Sequence, residues 1–401
     1  MTGSSSSESL DYLASPAAIR DCATRIADLT RDGDGAFLLD ESHLDRVAER
    51  VVVSIQRRYP DLDVPFHSRW RHFEIEDTDG VQRLNDSTAK HSSIELARTG
   101  LDLIIPSVLI DAGAGPNWRF RTNSGVELSR SEGLAIASLE MFLSGSFSAD
   151  ASQPLRTDAA ALIALSTSDF ADGMQSSADN PLIGLDNRLL LLKKLGRIIQ
   201  STPDIFPNAR LGDLADHFIV RSDTAISATG ILTVILRLLG SMWPERIAVS
   251  GVNLGDAWWY TYPNESEKSV VPFHKLSQWL TYSIAETLLR SFYTVCDIEQ
   301  LTGLAEYRNG GLFIDSDVLQ LKQDFVQRSY PVDSRTIVEW RALTVYLLDQ
   351  TAERVRSILG RDLALAEILE GGTWHVGREL AFERNPSGES PLIIDSDGTV
   401  F

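Results

Sequence analysis

The chain has 401 residues, room for one large domain or two ordinary ones, and its 43% hydrophobic and 23% charged content is that of a globular protein with a full core. A formal net charge of −19 repels phosphate backbones and excludes nucleic acid as a polymer partner, while a few local arginines can still hold a small phosphorylated ligand. Only Cys22 and Cys296 are present, with no CxxC pair, which rules out a disulfide framework and a thiolate zinc site and suits a reducing cytoplasm.

Residues 1–9 form a polar serine tail, expected to be disordered, without the basic start and apolar core of a targeting segment. The strongest apolar runs, 101–110 and 230–240, are too short to span a bilayer, so no membrane partner is expected. Ser15 and Pro16 make an N-cap and first-turn pair that opens a helix through about Leu29. A second helix runs from about Glu41 to Arg58, with Leu44, Val47, Ala48, Val51, Val52 and Ile55 on one face. VPFHSRWRHFE (64–74) has no clean period and predicts a loop with a short element. An apolar helix covers 92–111 and ends at DAGAG. WRFRTNSGVELS (118–129) predicts a short hairpin turning at Asn123, Ser124 and Gly125. A helix follows over 129–147, capped by Ser129 or Ser131, and others are expected near 156–171, 187–200, 210–219 and 223–242.

Residues 271–315 carry the densest chemistry. Pro272, tolerated in a first turn where its missing N–H costs nothing, opens a predicted helix. Leu276, Trp279, Leu280, Ser283, Ile284 and Leu288 recur on it at three- and four-residue steps as one buried stripe. Lys275, Gln278 and Tyr282 form a second line. About thirty residues later a loop, LTGLAEYRNGG, carries Glu306, Tyr307, Arg308 and Asn309 ahead of a Gly-Gly turn. Beyond it, helices are expected at about 316–328, 334–359 and 363–370, then GGTWHVGRELA (371–381) and a final strand or extended arm, SPLIIDSDGTVF. No fixed repeat and no long linker appears, so the expected fold class is mainly α, one helical domain over 10–401 with few short strands.

Each chemical motif has a structural competitor. Glu306, with Arg308 two residues on and Lys275 on the preceding helix, suits stabilisation of a positive sugar carbon; a structural ion pair uses the same residues. His67, Arg69, Trp70 and Arg71 could grip a phosphate or sugar hydroxyl and cover a planar group, or form a charged helix edge anchored by the tryptophan. Arg130 and Glu132 at a helix start offer an anion or hydroxyl site, or a cap with a local ion pair. Asp256, beside Trp258 in LGDAWW, is either a catalytic or ribose-binding carboxylate or a turn residue. Glu339 and Arg341 are charges on a buried helix that must find partners. Thr373, Trp374 and His375 follow a Gly-Gly and either close a pocket or cap the last helix. His67, His72 and Glu74 lack an HExxH spacing or a carboxylate cluster, so no metal is expected. DAGAGP (111–116) lacks the Gly-Lys-Ser/Thr ending of a phosphate loop, and there is no GxSxG elbow. No organic cofactor is implied.

Taken together, HSRWRHFE, SVLIDAGAG, RSEGLAIAS, PFHKLSQWLTYS, LTGLAEYRNGGLFIDS, VEWRALTVYLLD, LEGGTWHVGRELA and SDGTVF resemble the uracil-catabolism protein family of fungi and bacteria, from about residue 15 to the C-terminus. That resemblance implies a step downstream of ring opening, freeing urea from a ribosylurea-type intermediate. PFHKLSQWL, LAEYRNGG and VEWRALT are also similar to segments of the queuosine 5'-phosphate hydrolase family, helical N-ribosidases with a fold like that of DNA glycosylases. Its lysine and its aspartate before Tyr-Arg correspond to Lys275 and Glu306; glutamate here adds one methylene.

The expected activity is therefore N-ribosyl hydrolysis of ribosylurea or its 5'-phosphate, with a small free or phosphorylated riboside as partner. Glu306, Lys275 and Asp256 are the expected catalytic residues. His67, Arg69, Trp70, Arg71, Arg130, Glu132, Trp258, Gln278, Tyr307, Arg308, Asn309, Glu339, Arg341 and Trp374 are the expected binding residues. The alternatives are an amidohydrolase acting on the ureido group and a non-catalytic ligand-binding protein of the same pathway.

Overall fold

The computed structural model describes residues 10–395 except 112, 221–224, 244, 245 and 264. Most of these residues are helical, and the strands are two to four residues long and paired only in twos, as the mainly α expectation requires. The serine tail (1–9) and the SDGTVF end (396–401) lie outside the described residues. The chain divides into two compact units, Met1–His67 with Trp243–Trp279 and Asp297–Phe401, and Ser68–Met242 with Leu280–Cys296.

In the first unit the long Arg335–Leu359 helix packs against both Pro16–Arg31 and Leu44–Arg58. Ser15 caps Pro16–Arg31 by accepting the Ala18 N–H, and the six apolar positions expected on the second helix are all buried. The Arg335–Leu359 helix stops at Gly360, whose φ of +60° is the left-handed geometry glycine adopts without strain. The Tyr307–Asp315 helix packs against Trp374–Arg384.

Four expectations in this unit are corrected. The segment around Pro272 is not a helix start: Ser269–Pro272 is a strand paired antiparallel with Ala257–Tyr260, and the helix runs Lys275–Arg290. His274, at φ +49°, breaks the chain direction between the two. Residues 316–328 form no α-helix, only a 3-10 turn at Gln323–Phe325, because Asp317 turns at φ +62° and Leu319–Leu321 then finds a strand partner in Phe37–Leu39. The loop expected at 306–311 is the start of the Tyr307–Asp315 helix, with Gly310 and Gly311 inside it. Glycine is needed there for approach rather than for a turn: a Cβ on Gly310 would lie 2.7 Å from the Trp340 ring. The helix near 363–370 shrinks to Leu365–Ile368 and runs through a π turn, Leu369–Thr373, into Trp374–Arg384. The end forms a two-residue strand, Ile394–Asp395, parallel to Tyr330–Pro331.

Contact between the Tyr307–Asp315 and Trp374–Arg384 helices depends on Gly377, where a Cβ would stand 2.4 Å from the Arg308 carbonyl oxygen. Backbone cannot yield as a side chain can. Gly377→Ala is expected to destabilise the protein by about 1–3 kcal/mol through overpacking, read as a lowered melting temperature. An unchanged melting temperature would contradict that packing.

The second unit holds helices Ser93–Leu109, Arg130–Leu143, Leu185–Ser201 and Ala228–Leu239, near their expected places. The hairpin is present, with Phe120 opposite Leu128 and Arg121 opposite Glu127. The single helix expected over 156–171 is two short ones, Ala159–Ala164 and Thr167–Gly173, because Ser166 caps the second by accepting the Asp169 N–H. The helix expected from 223 begins at Ala228, after a strand, Ile226–Ser227, that pairs with Val295–Cys296.

Candidate active site

One hydrogen-bonded chain joins the start of the Lys275–Arg290 helix to the segment carrying Glu306. Asp256 Oδ2 accepts the Lys275 N–H at 2.9 Å, supplying the helix with the acceptor its first turn lacks. The buried Arg341 guanidinium grips the same carboxylate through Nη1 and Nη2, at 2.7 and 2.8 Å, and Trp258 Nε1 adds a fourth donor at 2.8 Å. Arg341 Nε then donates to the carbonyl of Ala305, the residue before Glu306. Burial alone would push the Asp256 carboxyl up; the Arg341 charge and the four donors outweigh it and hold the group well below the usual carboxylate range. Gln278, fully buried, gives a second tie: its Oε1 accepts the Thr302 N–H at 3.4 Å, and its Nε2 has no acceptor among the described residues.

Glu306 is the N-cap of the Tyr307–Asp315 helix. Its two oxygens accept the Arg308 and Asn309 N–H groups at 2.8 and 2.7 Å, and the helix dipole's positive end faces the carboxylate. Each carboxylate oxygen accepts more than one hydrogen bond, so neither is exhausted by the cap. Asn309 turns back onto the Leu304 carbonyl and takes the Thr373 hydroxyl at 2.9 Å, pinning this helix start to the GGTW segment.

Arg308 is 7% exposed, and its buried Nη1 has no hydrogen-bond partner among the described residues. Its guanidinium carbon lies 5.1 Å from the centre of the Tyr307 ring and 5.4 Å from that of Trp374. Ring faces stabilise a cation, and they do not supply the acceptor that a buried N–H needs. An anion would.

The other edge of this cluster is an imidazole–carboxylate array. His67 Nδ1 lies 2.7 Å from Glu370 Oε2, and His375 Nε2 lies 3.8 Å from Glu370 Oε1. The His67 ring is centred 5.9 Å from the Trp374 ring. Burial would raise the Glu370 carboxyl, but the His375 and His67 contacts hold it well below the usual range; burial pushes His375 down. Among the described residues, no group of three His, Cys, Asp or Glu side chains is arranged to hold a metal ion, and no helix is long and apolar enough to cross a membrane.

The expected residues thus fall into separate places. Lys275, Asp256, Trp258, Arg341 and Gln278 meet around the 302–306 segment, and Glu306, Tyr307, Arg308, Asn309, Trp374 and His67 form the adjoining cluster. Glu339 belongs to a different network in the same unit, accepting from Tyr260 Oη, Arg335 Nε and the Ala36 N–H. Arg69, Trp70, Arg71, Arg130 and Glu132 lie in the second unit. There Arg69 bonds Ser107 and pairs with Asp111, Trp70 donates to Thr287, and Arg71 pairs with Glu74 and Glu286. Arg130 is exposed at φ +54°, and Glu132 is half-buried in the first turn of Arg130–Leu143. Glu370 is the residue that sequence reasoning passed over. Its only signal is its place as the second of two glutamates, after Glu367, in an otherwise mostly apolar run, LALAEILEGGTW, directly ahead of a Gly-Gly.

A family model described as "Protein of unknown function (DUF1688)" matches residues 12–401. Protein urg3 of Schizosaccharomyces pombe is 39% identical over 381 residues, covering 91% of this chain and 92% of its own length. Uracil catabolism protein 4 of Lachancea kluyveri is 33% identical over 433 residues, covering 98% of this chain and 99% of its own. Similarity of that extent over nearly the whole chain makes it a member of the uracil-catabolism protein family that its motifs resemble.

Proposed function

We propose that this chain hydrolyses the N-ribosyl bond of ribosylurea, or of its 5'-phosphate, releasing urea and ribose or ribose 5-phosphate within uracil catabolism. The observation that carries this reading is the start of the Tyr307–Asp315 helix. A buried carboxylate, Glu306, stands there beside a buried guanidinium, Arg308, that has a donor without an acceptor among the described residues.

Breaking a C1'–N bond builds positive charge on C1' and the ring oxygen, which a fixed carboxylate stabilises more in the transition state than in the ground state. Glu306 takes that role. Arg308, with helix N–H groups close by, receives the 5'-phosphate, since a guanidinium matches phosphate in both charge and geometry. Trp374 walls the site between Arg308 and His67. Lys275 and the Gln278 amide offer donors to sugar hydroxyls. Asp256 has its oxygens committed to four donors, so its part is to place Lys275 and, through Arg341, the Ala305–Glu306 segment.

Purified protein incubated with synthetic N-ribosylurea and with its 5'-phosphate is expected to release urea, faster from the phosphorylated form because of Arg308. Ammonia without urea would move the cleaved bond to the ureido group, as an amidohydrolase requires. No turnover of either form would remove the hydrolase reading.

A further inference from the structure

We propose that His67 is the general acid that protonates the leaving nitrogen, and that Glu370 is the residue that positions it. The inference rests on the N-ribosyl hydrolase reading and supplies the group that reading lacks. Urea leaves poorly as an anion, so the electron pair of the breaking C1'–N bond needs a proton as it moves onto nitrogen.

Four observations converge on His67. The ring is 6% exposed, and its Nδ1 faces a carboxylate oxygen at 2.7 Å, so Nδ1 carries a proton and Nε2 is the nitrogen left to exchange one. Nε2 makes no hydrogen bond among the described residues. The backbone is held as well, the His67 N–H donating to the Ala366 carbonyl at 2.9 Å. Finally, the imidazole lies against the same indole as Arg308, which places it beside the proposed phosphate site.

Glu370 sits in the π turn Leu369–Thr373, an uncommon backbone form frequent at functional sites. A regular α turn would rotate Glu370 and Trp374 relative to one another. The charged groups bearing on the imidazole are Glu370 directly, His375 across Glu370, Arg308 and Arg378 over the Trp374 ring, and Arg58 near His375. Burial would raise the Glu370 carboxyl, yet its imidazole contacts keep it an anion that can orient and support an imidazolium.

The step balances as follows. Protonated His67 gives its Nε2 proton to the ureido nitrogen as the C1'–N bond breaks with its pair on nitrogen, and neutral urea departs. Water adds to C1' and loses a proton to Glu306; exchange with solvent returns both groups to their starting states. One water is consumed and no net charge changes.

The test compares two leaving groups on one sugar: N-ribosylurea 5'-phosphate, which needs a proton, and 4-nitrophenyl riboside 5-phosphate, whose phenolate leaves unaided. His67→Gln is expected to cut urea release on the order of 10²–10³-fold and nitrophenol release by less than about threefold. Glu370→Gln is expected to show the same bias with a smaller loss. Wild-type kcat/KM for the ureido substrate should fall with rising pH, as a step that needs an enzyme-bound proton does, and the nitrophenyl substrate should lack that limb; this readout needs no folded variant. Equal losses on both substrates, or a shared alkaline limb, overturn the acid role while leaving the hydrolase reading intact. If wild type cleaves neither substrate, the hydrolase reading itself fails, and this inference with it.

Discussion

Glu306→Gln is expected to lower kcat for ribosylurea 5'-phosphate on the order of 10²–10³-fold while KM moves little. The substitution keeps the side chain's length and one acceptor oxygen, so one of the two capping N–H groups of Arg308 and Asn309 is still satisfied. The other faces an NH₂ group, which costs about 0.5–2 kcal/mol of stability, a shift of a few degrees in melting temperature. The charge opposite the developing oxocarbenium ion is gone, and that loss falls on the transition state alone. Phosphate capture by Arg308 is untouched, so the ground state binds as before. Glu306→Asp keeps the charge on a shorter arm and should retain intermediate activity. The two roles open to Glu306 separate when kcat and melting temperature are read on the same preparation. A purely structural cap would lose activity only in proportion to the folded fraction.

Asp256→Ala is expected to be the most destabilising change near the site, about 3–5 kcal/mol, because it removes the carboxylate that four donors share and strips the buried Arg341 guanidinium of its bidentate partner. Urea release should fall with it, since both Lys275 and the Ala305 carbonyl lose their anchor. The pH dependence has a definite sign. The Asp256 pKa is depressed in the folded chain, so its contribution is fully present above the unfolded value, about 3.9, and fades as pH falls below that. The gap in melting temperature between wild type and Asp256→Ala should therefore stay constant from about pH 7 to about pH 5 and narrow below about pH 4. A gap that widens toward acid would contradict the pairing.

Periodicity found the Leu44–Arg58 helix, which buries one clear face, because a stripe at three- and four-residue steps is local information, and a long apolar run found Ser93–Leu109, which is buried on every side from Thr99 onward. It missed Leu319–Leu321 and Ser269–Pro272, whose conformation is set by partner strands at Phe37–Leu39 and Ala257–Tyr260. Gly310 and Gly311 look like a turn in sequence; the Trp340 ring against the first and the Pro391 ring against the second are what place two glycines inside a helix.

At the site, the sequence singled out Lys275, Gln278 and Glu306, and the structure ties their segments through Asp256 and Arg341, a link between residues 85 positions apart that no local pattern carries. The arginines of HSRWRHFE have the residue types of a phosphate grip, yet Arg69 and Arg71 are paired with carboxylates in the fold. Residue type announces chemistry. Partners decide whether it is available.

The central claim is that the C1'–N bond breaks, and labelling the ureido carbon with ¹³C tests it most directly. With N-ribosylurea 5'-phosphate so labelled, wild type should move all the label into urea, one for each ribose 5-phosphate formed, and Glu306→Gln should leave the substrate intact over the same time. Label appearing in bicarbonate with release of ammonia, or no label moving at all in the presence of folded wild-type protein, would contradict it.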